Sequence, residues 1–226
     1  MIDKDASAFV PFYIKDCTLA AIATGAKAQT LAELRDRIIV AHPSSVYFHF
    51  WEGRLRTAFE HREYHNDFAN WIHTYLHDDI LAERLDLINP MEYDDIEFVR
   101  ADLIGLINNR IEEIDYVPWV KSEDQFEFVR SKIIIFSTSY HIHTPHELVS
   151  IFPLLTHSSI FYHVIDAARR LPEKDNDFSA WLSGFGNQYA DLCSELRRID
   201  PYFISMEALQ AKIYGIFTKY FLGTMS

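Results

Sequence analysis

Two stretches of this chain repeat each other, and the repetition limits what the chain can fold into. Ser45-Val46-Tyr47-Phe48-His49 returns as Ser159-Ile160-Phe161-Tyr162-His163. Asn66-Asp67-Phe68-Ala69-Asn70-Trp71 returns as Asn176-Asp177-Phe178-Ser179-Ala180-Trp181, and Thr30-Leu31-Ala32-Glu33-Leu34 as Thr144-Pro145-His146-Glu147-Leu148. The offset is 114 from Phe12 through His49 and 110 at Asn66, and 110 again where Gly105 meets Gly215. Offsets that change only between motifs are those of a duplicated unit with one shortened loop. A chain of 226 residues is long enough for two domains of about 100 residues each.

The pattern inside each copy reads as helical. Thr30-x-x-Glu33 and Thr144-x-x-Glu147 have the form of capping boxes, with Pro145 at the first helical position. Ser44 or Ser45 is expected to cap the next helix, and Ser158 or Ser159 its counterpart. Asn66 or Asp67, Asp78 or Asp79, Asp94 or Asp95, and Ser205 are expected to cap further ones. Apolar residues at helical spacing follow, as in Phe98, Val99, Leu103, Leu106, Ile107 and Ile111. Gly25 reads as the stop of a first helix. Segments 9–23 and 126–139 are the least regular. They are read as helix, with a short strand or hairpin as the alternative around Ile133-Ile134-Ile135-Phe136, which favours β structure. The expected architecture is all-α: two tandem, duplicated helical domains of about six helices each, over residues 9–115 and 124–222.

Charge narrows the partners. The net charge is −12, and residues 1–115 carry 21 acidic against 11 basic side chains. An acidic face repels phosphate, so nucleic acid and anionic membrane surfaces are not expected partners. No apolar run approaches a membrane span, and the start Met-Ile-Asp-Lys-Asp-Ala has no signal-peptide core, so a cytoplasmic protein is expected. Cys17 and Cys193 do not correspond in the two copies, since position 17 aligns with Ser131; they read as buried thiols rather than a disulfide.

Four constellations carry polar chemistry. His49, Asp67 and Trp71, with their twins His163, Asp177 and Trp181, read first as a buried polar clamp joining helices, because each donor can find an acceptor. A His–Asp pair for acid–base work or metal binding is the functional alternative. His141-x-His143-x-x-His146 has no counterpart in copy one, where Lys27, Gln29 and Ala32 stand, and is the candidate transition-metal site. His73 and His77, one helical turn apart, read as a solvated helix end, with chelation of zinc or nickel as the alternative. Arg54 and Arg56, with Arg62, and Arg169-Arg170 in copy two, form a basic cluster that would clamp a carboxylate or phosphate, or pair with nearby acids. Phosphate-binding glycine loops, C-x-x-C pairs and the G-x-S-x-G elbow are absent from the sequence.

With these residues in view, the chain resembles an uncharacterised prokaryotic domain-of-unknown-function family. The pattern joins an F-x-[FI] start (Phe12-Tyr13-Ile14, Phe126-Glu127-Phe128), an E-L helix (Glu33-Leu34, Glu147-Leu148) and the Y/F-x-H and N-D-F-x-x-W motifs quoted above. A final L-A-E-x-L is present at Leu81–Leu85 and departs at Leu192-Cys193-Ser194-Glu195-Leu196; Ser139 departs where copy one has Gly25. The resemblance implies no activity. The expected function is a non-enzymatic binding or scaffold module that engages a protein partner or itself, with no resident cofactor. The alternatives are a metal-dependent or acid–base enzyme using histidines of the Y/F-x-H or H-x-H-x-x-H segments, and a small-molecule site between the two repeats.

Overall fold

The computed structural model describes residues 10–51, 55, 63–114 and 121–223. Its helices are joined by a two-stranded antiparallel sheet, so the fold is mixed α and β rather than all-α with duplicated domains. Strand β1 is Phe12–Ala28 and strand β2 is Phe126–Ile142, each 17 residues long. These strands replace the helices expected over 9–23 and 126–139. The reason differs between the two. β2 is dense in β-branched and aromatic residues, and its extended form follows its own preference. β1 contains the alanine-rich Leu19–Ala28, which favours helix locally; tertiary pairing with β2 overrides it.

Gly25 lies inside β1 rather than ending a helix, and its φ of +76° is one that residues with a Cβ seldom adopt. A Cβ there would meet nothing within 4 Å, so backbone conformation alone makes the glycine useful.

The chain divides into two compact units, and the division falls inside both strands. One unit is contiguous, Leu19–Ile133. The other is split: it joins the residues up to Thr18 with those from Ile134 onward. In the contiguous unit, α1 (Leu31–Val40) packs on α5 (Ile96–Glu113), burying Leu31, Leu34 and Ile38 with Val99, Leu103 and Ile107. Helices α2 (Pro43–Trp51), α3 (Asp67–Trp71) and α4 (Asp79–Asp86) complete this core with Phe48, Phe68, Leu81 and Leu85. Buried Arg100 donates to the Ile38 carbonyl at the end of α1 while pairing with Glu97, a cation where the helix dipole is negative. Phe98, expected on the apolar face of α5, is exposed instead.

In the split unit, the short helices α6 (Leu148–Ile151), α7 (His157–Ile160), α8 (Ala167–Arg170) and α9 (Asp177–Ser183) surround Phe152 and Phe178. Helix α10 (Ala190–Arg197) and the long α11 (Met206–Leu222) close that core, with Phe217 edge-on to Phe152 at 5.2 Å. Among the described residues, no helix is long and apolar enough to cross a membrane.

The caps expected at Thr30, Asn66, Asp78, Asp95 and Ser205 each accept a backbone N–H. Those expected at Ser45 and Ser159 do not form. The Nδ1 of His42 accepts from Ser44 N–H ahead of α2, and Thr156 caps α7. Both serines are thereby left for other work. Thr144 gives its hydroxyl to Glu147 instead of accepting a backbone N–H. Two glycine substitutions separate backbone conformation from packing. Gly25→Ala should lower stability by about 1–2 kcal/mol through the left-handed backbone alone. Gly105→Ala, in the interior of α5 with nothing within 4 Å of the added methyl, should raise it by roughly 0.5–1 kcal/mol. Urea melts of the two variants measure both, and equal effects would remove the distinction.

Candidate functional site

The repeated histidines sit on α2 and on the turn following α7. Each reaches another helix through one ring nitrogen and a strand through the other. His163 Nε2 accepts the main-chain N–H of Lys15 at 2.9 Å, and Ser159 Oγ, one helical turn earlier, donates to the Lys15 carbonyl at 2.7 Å. In the contiguous unit, His49 Nε2 accepts from Val129 N–H at 3.1 Å and Ser45 Oγ donates to the Val129 carbonyl at 2.7 Å. The N–H and C=O of one residue in an antiparallel strand point to the same side. A Ser and a His four apart on a helix therefore stand in for a neighbouring strand at that residue.

The remaining motif residues hold this clamp in place. The Nδ1 of His163 lies 2.7 Å from Asp177 Oδ2, and that of His49 lies 2.8 Å from Asp67 Oδ2. A backbone N–H cannot accept, so Nε2 presents its lone pair and Nδ1 carries the proton toward the carboxylate. Trp181 Nε1 donates to the Val10 carbonyl and Trp71 Nε1 to the Asp124 carbonyl, both at 3.0 Å. The indoles thus hold the chain two residues before each strand begins. Between indole and clamp, Phe12 packs on His163, Phe178 and Trp181. Phe126 packs on His49, Phe68 and Trp71 in the same way. Each imidazole is almost enclosed, at 3% exposure for His49 and 2% for His163.

This arrangement reads an extended main chain. Both imidazole nitrogens are engaged, and the Ser45 and Ser159 hydroxyls are committed to strand carbonyls. In the split unit the Asp177 carboxylate is shared with Arg170, which also bonds Asp166 at 2.8 Å and lies 4.2 Å over the Tyr162 ring. Burial lowers the Arg170 pKa, but the Asp177 hydrogen bond and charge, with Asp166, outweigh it and raise the net value. Arg169 pairs with the other oxygen of Asp166. Arg54, Arg56 and Arg62 lie outside the described residues.

The other histidines are placed differently. His141 lies on β2, with its ring 5.4 Å from Tyr13 and 6.4 Å from that of His143. His146 turns to Phe221 at 4.8 Å. Glu147, the acid beside them, accepts from His143 N–H and from the Thr144 hydroxyl; the His143 bond foremost holds its pKa below the usual range. Among the described residues, no group of three or more His, Cys, Asp or Glu side chains is arranged to hold a metal ion. His73 is flanked by Asp79 and Glu63, while His77 leaves the helix in a left-handed conformation, so the two do not continue one helical face. Cys17 and Cys193 are buried without a disulfide between them, and burial raises the Cys193 thiol.

Sequence reasoning brought His, Asp and Trp together but missed the serines and the strand they grip. The available signal was a Ser four residues before the His in both repeated motifs, together with F-x-[FI] alternation at each strand start. Replacing His49 or His163 by Gln should cost about 1–3 kcal/mol each, since a buried strand N–H and a carboxylate lose their partner. Ser45→Ala and Ser159→Ala should each cost about 1 kcal/mol. Melting curves test this, and unchanged midpoints in all four variants would show that the clamp is not structural.

No curated protein sequence matches the chain. Among solved structures, it is similar to OrfY from Thermoproteus tenax, with a TM-score of 0.78 and 26% identity over 95% of this chain and 97% of that one. Residues 9–218 match a family of unknown function, DUF5752, and the chain belongs to that family.

Proposed function

We propose that this is a non-enzymatic binding protein that engages a polypeptide, a partner's or its own, by strand addition along the open stretch of β2. The observation that carries the reading is the exposure of three consecutive apolar residues: Ile134 at 51%, Ile135 at 47% and Phe136 at 47%. Neighbouring residues of a strand point to opposite faces, so three in a row leave both faces bare. Ile134–Tyr140 contains no charged residue and no proline, the usual defences of an open strand. A two-stranded ribbon is marginal alone and gains from a further strand. The buried clamp supports the same reading, since its polar groups are spent on holding backbone. That the sequence consists of tandem copies is part of this proposal; it rests on the repeated motifs and their matched contacts.

Light scattering over a concentration series, together with titration of a labelled peptide copying Ile134–Tyr140, tests the reading. Self-association or peptide uptake is expected, weakened at least about tenfold, or 1.4 kcal/mol, by Ile135→Lys. A strictly monomeric protein that also takes up no peptide overturns it.

A further inference from the structure

We propose that the groove holding residues 10–15 in the split unit is a receptor for an extended apolar-x-apolar segment, and that a second copy of this chain fills it by strand exchange. What the groove reads is narrow. It takes the carbonyl of Val10, the side chains of Phe12 and Ile14, and the N–H and carbonyl of Lys15. The Lys15 ammonium is not read by the helices; it bonds Ser137 of β2. Counted back from the clamped residue, the indole contact lies five residues earlier and the apolar side chains three and one.

The contiguous unit reads the same atoms at the same spacing with other side chains. Its clamped residue is Val129, its indole acceptor the Asp124 carbonyl, and its apolar pair Phe126 and Phe128. Lys exchanges for Val, Val for Asp and Tyr13 for Glu127, while every main-chain partner is kept. Recognition therefore follows the backbone and the apolar spacing. The split unit also holds the next two residues, Asp16 through the Thr156 hydroxyl and Cys17 through the Ser158 carbonyl. These favour the β1 segment over the β2 segment as its occupant.

The resident segment is tied to its groove from far along the sequence, since Lys15 and His163 are 148 residues apart. The same segment of a second molecule would make every contact again, which is the condition for a domain-swapped dimer. The intramolecular segment prevails in dilute solution by effective concentration, and exchange is favoured as protein concentration rises.

The test uses the full-length Phe12→Asp/Ile14→Asp variant, whose own segment cannot enter the groove. Labelled peptides covering residues 10–18 and 124–132 are titrated into it and into the wild type. Both peptides are expected to bind the variant, the first more tightly, and to bind the wild type at least about tenfold more weakly. A peptide with both apolar positions changed to Asp should not bind. Should the variant not fold, wild-type preparations carrying donor and acceptor dyes are concentrated, warmed below the melting transition and cooled. Mixed dimers that separate only slowly on dilution are then expected, and Ile135→Lys, which disables the open stretch of β2, should leave them unchanged. A folded variant that binds neither peptide overturns the proposal, as does a wild type that forms no mixed dimer.

Discussion

One strand residue held on both its polar atoms by a helix is the constraint on which each unit depends. A lone strand edge in contact with helices would leave an N–H and a C=O facing apolar side chains, and such groups cost free energy when unpaired. The Ser–His pair supplies an acceptor and a donor one helical turn apart, so Lys15 and Val129 find partners without a third strand. The carboxylates of Asp177 and Asp67 fix the imidazole tautomer that makes this work. The indoles then hold the approach to the strand, and the phenylalanines between them bury area. These parts converge on each strand start, where the repeated residues act as a set.

The set was legible in the sequence as a cluster, and its polar character was legible too. Its object was not. The aspartates and asparagines that begin helices cap them through contacts within four residues, so Asn66, Asp78 and Asp95 could be placed from local pattern alone. Asn66 also bonds Leu85, and Asp78 also bonds Arg110. The clamp acts across 80 residues in one unit and 148 in the other, and single-residue spacing carries no record of such a distance. The strands show the same divide. Phe12-x-Ile14 and Phe126-x-Phe128 alternate as a half-buried strand should, but over too few residues to outweigh the alanine-rich run that follows in β1. Ser45 and Ser159 illustrate how two local readings compete. A serine at the start of a helix is usually its cap, yet here His42 and Thr156 take that role and the serine hydroxyls turn outward to a strand.

The two strands are unevenly protected along their length. Where the clamps act, the edge is satisfied and the side chains are buried. From Ile134 to Tyr140 neither protection operates, and the residues there are apolar or small and uncharged. An uncharged, β-favouring run at the surface of an acidic chain is a feature that solubility alone does not favour. Among the described residues, the histidines at 141, 143 and 146 flank the run without gathering into a metal site.

The division of the chain inside both strands also orders its synthesis. The contiguous unit is complete in sequence once Ile133 has been made, and its helices, its half of β1 and its half of β2 are then all available. The split unit cannot close at that stage. Its strand start, residues 10–18, is made before the contiguous unit, while the groove that receives it is finished only with α11. Until α11 has been made, Phe12 and Ile14 are an apolar pair without a finished pocket, and a segment made before the contiguous unit is seated after it.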